Sequence, residues 1–323
     1  MRSKKLVRNK HIFKILSRAI LSSNVYILMI LLVIILVVGG IFVPNIFKFT
    51  NLMNVLRIAS ILGIVAIGEA LVLLTGEFDL SVGSIMSLSL VTGGLFLYLG
   101  SVPALLITFL TGLTLGAING IAVAKGKVMS LFMTLGTLSV YGALALIMSR
   151  GQAVYLYDLS YILIGRGYVF GIPTPVIIFI IITLICFLFL NFTSTGRYIY
   201  YTGANTKAAL FSGVGVNNIK ILVFSICGLC AALAGPMYAS QTQRITPILG
   251  VGFELSAFVI AVLGGTDLWG GKGSVLGVSI GALIYGFLVN ILALSGIGTY
   301  IEQVLKGVLL IIVVIVFQNI KRR

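Results

Sequence analysis

The sequence is poor in charged residues, and acidic residues are the scarcest of them. Of its 323 residues, 22 are Lys or Arg, seven are Asp or Glu, and only 9% are charged in total. Soluble globular proteins carry about 25% charged residues. With 59% hydrophobic residues, the chain cannot cover itself with a polar surface, which excludes a soluble globular protein. We therefore predict an all-α polytopic membrane protein with about ten transmembrane helices, each about 20 residues long.

Cysteine and histidine are also too few to indicate a redox or metal centre. The three cysteines include Cys227 and Cys230, which form a C-x-x-C pair, and the one histidine is His11 in the basic N-terminal tail. The pair lies in an apolar run with no second ligand pair nearby, and we interpret it as small buried residues on one helix face. We predict no metal site, no cofactor bound by this chain and no catalytic residue.

A glycine-rich stretch, Gly270 to Gly273, invites comparison with a phosphate-binding loop. The P-loop pattern requires G-x-x-x-x-G-K followed by Ser or Thr. Here Thr266 stands in place of the first glycine, and Gly273 follows Lys272. Because the pattern fails at both positions, we predict a tight turn between two spans and no ATP binding.

The positive net charge of +15 is concentrated towards the two ends of the chain. Basic residues cluster in the first 18 positions, and Lys321, Arg322 and Arg323 close the chain. The positive-inside rule associates such clusters with cytoplasmic segments, and attraction to anionic membrane lipid is an added effect. The distribution is not that of a nucleic-acid-binding surface, so we predict no nucleic-acid partner.

Charge-poor runs define the candidate spans. They are 25–43, 55–75, 80–99, 103–124, 128–149, 171–190, 221–240, 254–269, 274–295 and 300–317. The chain then divides into a basic cytoplasmic tail (1–24), a transmembrane domain (25–317) with a cytoplasmic loop at 196–220, and a basic C-terminus (318–323). Ten spans place both termini in the cytoplasm, and most of the basic residues then lie on that side.

Two series of glycines at four-residue spacing lie in the fourth and ninth spans. They are Gly112, Gly116 and Gly120, and Gly273, Gly277 and Gly281. Small residues at this spacing let helix backbones approach closely in a membrane. We expect leucine at Gly116 or Gly277 to be more damaging than leucine at Gly93, which lies outside both series.

The recurrence of short patterns also predicts an internal repeat. The sequence Phe-Asp-Leu-Ser at 78–81 precedes the third span, and Phe-Glu-Leu-Ser at 253–256 precedes the eighth. We predict that spans two to five and spans seven to ten form two inverted repeats, an arrangement common in transporters. Chance recurrence of Gly and Ser patterns in membrane helices is the alternative.

The loop at 196–220 carries no acid, and its middle predicts a short helix. Asn205 or Thr206 can cap the helix start, and Gly213 can adopt the left-handed conformation that ends it. The spacing Lys207-Ala208-Ala209, three residues, Gly213 resembles the Glu-Ala-Ala loop of ABC-importer permeases, with Lys207 in place of Glu. The resemblance implies that this helix docks on an ATPase subunit, with Ala208 and Ala209 leaving its face slim. An ordinary interhelical loop is the alternative.

Further motifs make the resemblance specific. They are the stretch from Gly76 to Ser84, LGGTDLWGGKGS at 263–274, Thr-Leu-Gly-Thr at 134–137, Gly196-Arg197 with Gly203-Ala204-Asn205, and SGVGVN at 212–217. Together they resemble the inner-membrane permeases of ribose-, xylose- and galactose-type ABC importers. Glu77 and Phe78 depart from the family's usual Gly-Ile at the first of these motifs. The resemblance covers nearly the whole chain after about residue 50.

The resemblance implies a permease that performs no chemistry of its own. It implies a dimer, formed with a second copy or a homologous permease, an ATP-binding subunit that uses ATP, and an extracytoplasmic substrate-binding protein. The expected solute is a monosaccharide or related small hydroxylated molecule, and the expected location is the bacterial cytoplasmic membrane. The alternatives are an ion-coupled secondary transporter that uses Glu69 or Asp79, and an ABC permease for a furanone signal or a nucleoside.

Polar residues near the third, fifth and eighth spans are the candidates for translocation or gating. They are Asp79, Ser81, Thr134, Thr137 and Glu254. Hydroxyl-bearing side chains suit a path for an uncharged solute. Asp79 is also placed to cap a helix that begins at Leu80. Glu69 is the one acid well inside a span, where a charge costs about 2.5–3.5 kcal/mol, and no intramembrane partner for it is evident.

Overall fold

The computed structural model describes residues 23–296 together with residues 301, 303, 304, 307 and 308. The helices are α1 (Ser23–Phe42), α2 (Phe49–Leu74), α3 (Val82–Gly94), α4 (Ser101–Ala124), α5 (Ser130–Ser149), α6 (Leu159–Arg166), α7 (Thr174–Phe192), α8 (Ser194–Ala204), α9 (Thr206–Phe211), α10 (Val216–Thr242), α11 (Phe253–Leu263) and α12 (Val275–Leu294). Four two-residue strands form two small sheets: β1 (Val154–Tyr155) pairs with β4 (Arg244–Ile245), and β2 (Tyr168–Val169) pairs with β3 (Ile172–Pro173). The tail up to residue 22, most of the tenth predicted span (300–317) and the C-terminus at 318–323 lie outside the described residues.

Seven of these helices are long and apolar enough to cross a membrane. They are α1, α2, α4, α5, α7, α10 and α12. This confirms a polytopic helical membrane protein. The third and eighth predicted spans contain shorter helices, α3 with 13 residues and α11 with 11. At 1.5 Å per residue these reach about 20 Å and about 16 Å, less than the roughly 30 Å of a hydrocarbon core.

Helix α2 is the centre of the bundle. Every residue from Ala59 to Leu74 is buried, so the helix has no lipid-facing side over four turns. Helices α10, α12, α11 and α7 surround it. Helix α10 approaches most closely, since a methyl group at Gly68 would lie 3.0 Å from the Cα atom of Cys227. Cys227, Cys230 and Cys186 are all buried free thiols, as the apolar context predicted.

The first glycine series joins α4 to α10. A Cβ atom at Gly116 would collide with the carbonyl oxygen of Phe224, and one at Gly112 would lie 2.5 Å from the carbonyl oxygen of Gly228. A Cβ atom at Gly228 would in turn collide with the carbonyl oxygen of Gly112 in α4. The two backbones are therefore in direct contact, as expected from the four-residue spacing.

The second glycine series has a different role from the first. Gly273 precedes α12 and lies in the turn before it, so the prediction that it belongs to the helix is wrong. Gly277 and Gly281 pack against the backbone of Gly264, at the end of α11. The structure also contradicts the reason for expecting leucine at Gly93 to be less damaging than leucine at Gly116 or Gly277, because a Cβ atom at Gly93 would lie 2.5 Å from the carbonyl oxygen of Ala104 and would overlap Thr108.

The two ends of the bundle differ in construction. The end that carries α8, α9 and the turn 264–274 is called the loop end here. At this end the amide of Gly271 donates to the carbonyl oxygen of Leu74 (2.9 Å), which holds the turn against the last residue of α2. The hydroxyl of Tyr200 donates to the carbonyl oxygen of Gly273 (3.1 Å), and burial raises the pKa of this tyrosine to about 12. The tight turn predicted at 270–273 is present, but it is part of a longer non-helical segment, 264–274, because the preceding helix ends at Leu263.

The opposite end is formed by residues 150–173 and 243–249, and the sequence did not predict its elements. Helix α6 begins at Leu159 because the Asp158 carboxylate accepts the amide of Ser160 (2.8 Å). A hydrogen bond from the Ser101 hydroxyl, joined by the one from Ser160, lowers the pKa of Asp158. Helix α6 packs on α10 through Gly165, whose Cβ atom would collide with the carbonyl oxygen of Met237.

Candidate translocation site

The two short helices meet inside the bundle at their N-terminal ends. Gly83, in the first turn of α3, lies against Gly250 and the carboxylate of Glu254, which is in the first turn of α11. Helix α3 then runs towards the opposite end, where Gly94 packs on Ile245, and α11 runs to the loop end. Each short helix therefore completes its crossing with a non-helical segment, 75–81 before α3 and 246–252 before α11.

Non-helical backbone inside a membrane protein needs internal hydrogen-bond partners. In these segments, side chains supply them. The amide of Phe78 donates to Ser130 Oγ (3.2 Å), and the amide of Asp79 donates to Glu69 Oε1 (3.3 Å). In the second segment the amide of Gly250 donates to Ser87 Oγ (2.9 Å). The buried Glu69 therefore has a structural role as a hydrogen-bond acceptor. No nearby partner for Glu69 was evident from the sequence, but the structure places the acid Asp79 beside it.

Asp79 organises the turn before α3 but does not cap a helix at Leu80. Helix α3 begins at Val82, its N-cap is Ser81, and that side chain makes no capping bond. Asp79 Oδ1 accepts both the amide (2.9 Å) and the hydroxyl (2.6 Å) of Ser81. The predicted cap at Leu80 is wrong, because the chain stays non-helical for two more residues. Among the described residues, Asp79 Oδ2 is buried with no hydrogen-bond partner.

A chain of buried hydrogen bonds connects this turn to α4 and α5. Asn119 Nδ2 donates to Ser81 Oγ (2.8 Å), and the hydroxyl of Tyr141 donates to Asn119 Oδ1 (3.1 Å). Ser81 is thus a donor to Asp79 and an acceptor from Asn119. The network fixes the start of α3 against two transmembrane helices, and a change in one of its members affects all three.

Thr134 and Thr137 lie apart from this network. Both are buried on one face of α5, and their hydroxyls donate to carbonyl oxygens of their own helix, Ser130 O (2.9 Å) and Met133 O (3.1 Å). A threonine bonded in this way has no donor left for a solute. The structure brings Asp79, Ser81 and Glu254 to the junction of the short helices. Thr134 and Thr137 do not take part in it, since their hydroxyls bond to carbonyl oxygens of α5.

Glu254 faces a cavity of about 600 Å³ on the opposite-end side of the junction. The cavity lies between α2, the end of α10, the start of α11 and α12. Both carboxylate oxygens of Glu254 accept the amide of Gly252, at 3.0 and 3.1 Å. Ser256, also on the cavity wall, shares a hydrogen bond with the hydroxyl of Tyr285 (2.9 Å). The sequence singled out Glu254 as a site residue. Ser256 was noted only as part of the repeated motif at 253–256, and Tyr285 was missed because it lies in an apolar run.

Helix α9, at the loop end, matches the predicted short helix. Asn205 is its N-cap, and its side-chain oxygen accepts the amide of Ala208 (3.0 Å). Gly213 has φ of +80°, so the predicted left-handed residue is confirmed. Ala209 is only 4% exposed, and the expectation that it lies on the outer face is wrong. Lys207 and Ala208 are exposed, and Phe211 is 90% exposed.

An ion pair connects the loop that carries α9 to the non-helical segment before α3. Lys220, in the first turns of α10, pairs with Glu77, and both side chains are mostly buried. The next residue, Phe78, stacks on Phe258 of α11 with ring centroids 5.9 Å apart. The segment 77–81 therefore contacts α10, α11 and the buried network together, and Glu77 is a residue whose position the sequence alone did not reveal.

Substitutions at Asp79 test its structural role. We expect Asp79→Ala to lower the thermal midpoint and membrane yield, because two Ser81 donors lose their buried acceptor at a cost of about 1–3 kcal/mol. Asp79→Asn keeps an acceptor oxygen, and we expect a yield close to that of the parent. Fluorescence-detected size-exclusion chromatography after graded heating measures both. Equal loss in the two variants would show that the charge, and not the acceptor, stabilises the turn.

Comparison with known proteins agrees with this architecture. Residues 51–314 match the family described as branched-chain amino acid transport system, permease component. The chain belongs to this family. It is therefore a permease subunit of an ABC importer, a transport component and not an enzyme. Membership of this family implies a multi-pass protein of the bacterial inner membrane that works with an ATPase and a substrate-binding protein.

Among its relatives are permeases named for three sugars. The chain is 38% identical to the ribose import permease protein RbsC of Escherichia coli K12 over 296 residues, covering 90% of this chain and 92% of that protein. It is 34% identical to the D-allose transport system permease protein AlsC of the same organism, covering 87% of each. It is 34% identical to its L-arabinose transport system permease protein AraH, covering 92% of this chain and 91% of that one. No solved structure matches the chain.

Proposed function

We propose that the chain forms the translocation path for a monosaccharide in an ATP-driven importer. The observation that carries the proposal is the similarity over about nine-tenths of the chain to permeases named for ribose, allose and arabinose. The family description names branched-chain amino acids, but these near-full-length relatives are the more specific guide. The described lining of the cavity beside Glu254 has no Lys, Arg or His to pair with the carboxylate of an amino acid, so it agrees better with a neutral solute.

Reconstitution tests this function directly. The permease, its ATPase and its binding protein are placed in proteoliposomes without an ion gradient, and uptake of labelled D-ribose, D-allose and L-arabinose is measured. We expect uptake of at least one sugar with ATP, and none without the ATPase. Uptake that needs a proton or sodium gradient and no ATPase would contradict the proposal, as would transport of leucine but of none of the sugars.

We further propose that α9 docks on the ATPase and that both termini share its cytoplasmic side. The helix presents an exposed apolar pair, Leu210 and Phe211, next to the exposed Lys207. Leu210 (60% exposed) and Phe211 (90% exposed) are adjacent and form one apolar patch at the end of the helix, and exposed apolar patches of this kind serve as anchors in protein interfaces. Asn205 and Gly213 fix the two ends of the helix, so Phe211 has a defined direction. The charge distribution supports the same side for residues 196–220.

The Lys220–Glu77 pair offers a route by which docking reaches the junction of the short helices. Lys220 follows the end of α9 by nine residues and lies in the second turn of α10, while Glu77 lies in the segment that positions Asp79 and α3. A displacement of α9 that moves the start of α10 would pull on Glu77 through a mostly buried ion pair. We propose this pair as the link between ATPase and path, with Glu77 and Lys220 as positioning residues.

Charge reversal tests this link. We expect Glu77→Lys and Lys220→Glu each to lower ATP-dependent uptake by about tenfold or more, equivalent to about 1.4 kcal/mol, because each leaves two like charges at a partly buried site. The double variant restores the attraction, and we expect it to recover at least half of the parental rate. Basal ATPase activity of the complex should stay unchanged in all three. A double variant no better than either single one would rule out the pair as the link.

The arrangement of helices supports the inverted repeat. If α2, α3 and α4 correspond to α10, α11 and α12, the contact of α4 with α10 has its counterpart in the contact of α12 with α2. The contacts of α3 with α4 and of α3 with α10 likewise have counterparts in those of α11 with α12 and α11 with α2. The two short helices are then equivalent elements of opposite direction. We propose this arrangement, together with a dimer of this chain with itself or a homologous permease.

A further inference from the structure

The cavity beside the junction of the short helices has the size and lining of a small-molecule site. Its volume of about 600 Å³ falls within the roughly 300–1,000 Å³ of ligand pockets. Apolar side chains of α2 and α12, among them Leu62 and Val289, form one wall, and residues from the stretch 249–256 form the wall that carries Glu254. A few polar groups converge on one side, which is the distribution typical of a site that orients a ligand.

The polar side of the cavity suits hydroxyl groups. Glu254 uses its carboxylate to hold the amide of Gly252, and each carboxylate oxygen has a further lone pair that can accept a hydrogen bond. The hydroxyls of Ser256 and Tyr285, 3% and 2% exposed as residues, form the adjoining wall. Acceptors and hydroxyls side by side match vicinal hydroxyl groups of a sugar ring.

The aromatic lining and the single acidic side chain of the cavity restrict the class of ligand further. Tyr238 and Phe253, both lining the cavity, pack edge to face with centroids 5.2 Å apart and offer ring surface to the C–H face of a sugar. The lining residues of the described part of the chain include one acid, Glu254, and no Lys, Arg or His. A phosphate or carboxylate group on the solute would meet repulsion without compensation.

The position of Glu254 connects ligand binding to the junction of the two short helices, α3 and α11. Its carboxylate occupies the space beside Gly83 where a side chain would otherwise project, at the start of α3. A ligand bonded to Glu254 therefore touches the point at which both short helices begin. From there the buried network and segment 77–81 lead to the Glu77–Lys220 pair.

We propose that this cavity within a single permease chain is a binding site for a neutral, hydroxyl-bearing solute of monosaccharide size. Glu254 accepts hydrogen bonds from two hydroxyl groups of the solute, and Ser256 with Tyr285 forms the wall beside them. The site takes the solute from the opposite-end side before it passes the junction of the short helices. This inference rests on the proposed sugar-import function and adds the place where the sugar is held.

Protection of an engineered cysteine tests the site. Val289→Cys places a thiol on the cavity wall, while Val169→Cys, in strand β2, places one at the same end but outside the cavity. The three native cysteines are buried, so background labelling by a small methanethiosulfonate reagent should be slow. Labelling of the purified complex is followed with D-ribose, D-allose, L-arabinose or D-ribose 5-phosphate, each in large excess.

We expect the sugar that the wild-type complex transports to slow labelling of Val289→Cys at least threefold and to leave Val169→Cys unaffected. Ribose 5-phosphate should not protect. Adding Glu254→Gln, which keeps an acceptor for Gly252, should abolish most of the protection without changing the labelling rate in the absence of sugar. A transported sugar that fails to protect Val289→Cys would overturn the site but not the transport function. Protection of Val289→Cys by a sugar, in a complex that imports none of the three sugars, would retain the site and refute the proposed function.

Discussion

Gly116→Leu is expected to leave almost no folded protein in the membrane. A leucine at this position must place its Cβ atom within the carbonyl oxygen of Phe224, with the Cα atom of Gly228 only 3.2 Å away. Both obstacles are backbone atoms of α10, so no rotamer change in a flexible side chain relieves the overlap. Overpacking of a core typically costs about 1–3 kcal/mol and more where the backbone must move, and we expect a cost of at least about 3 kcal/mol here.

The matched control is Gly142→Leu. Gly142 is also a glycine inside a transmembrane helix, α5, but a Cβ atom there meets nothing within 4 Å. We expect this variant to accumulate and to elute as a single peak in detergent like the parent. Gly93→Leu should behave like Gly116→Leu because of its contact with Ala104 and Thr108. Comparable yields for Gly116→Leu and Gly142→Leu, measured by in-gel fluorescence of a fused reporter, would contradict the direct backbone contact of α4 and α10.

Phe211→Asp is expected to abolish binding of the ATPase and therefore transport. The ring is exposed at the end of α9, and it is the largest apolar group on that helix. A carboxylate in its place would have to lose its hydration on entering an apolar groove of the partner, which costs more than the lost contact itself. Because the residue lies outside the core, the permease should still insert and remain stable. Co-purification of the ATPase and ATP-dependent uptake are the two measurements.

The same change at Phe170 is the control. Phe170 is fully exposed, lies in the loop between β2 and β3 at the other end of the bundle, and should tolerate aspartate without loss of ATPase. Phe211→Leu, which keeps an apolar side chain, should retain most of the ATPase. Full ATPase stoichiometry and parental transport by Phe211→Asp would show that α9 is an ordinary loop helix. Ala209→Trp is a poor test of docking, because Ala209 is buried and the tryptophan would disrupt the permease itself.

Features with local causes followed from the sequence. Low charge and long apolar runs predicted a helical membrane protein, and seven described helices meet the length and composition for a span. The Asn205 cap and the positive φ of Gly213 were predicted because a cap and a left-handed residue depend on a few adjacent positions. The glycine spacing in α4 predicted close packing, since spacing alone determines which residues share a helix face.

Features that depend on contacts between distant parts of the chain could not be predicted from the sequence. The predicted spans 80–99 and 254–269 contain α-helices of only 13 and 11 residues, at 82–94 and 253–263. The backbone before each of these helices is non-helical, because the distant side chains of Glu69, Ser130 and Ser87 accept its amides. The expectations for Gly93 and Ala209 failed because a residue's neighbours on other helices decide its tolerance and burial.

The sequence by itself thus determined the class of protein, the approximate spans and the short helix α9. Each depends on composition or on residues close in the chain. Only the tertiary structure decided that Asp79 lies beside Glu69, that Glu77 pairs with Lys220, and that Glu254 meets Gly83 at the start of α3. These contacts join residues far apart in sequence, and a polar side chain in an apolar run gives no sign of which distant backbone group or charge it will face.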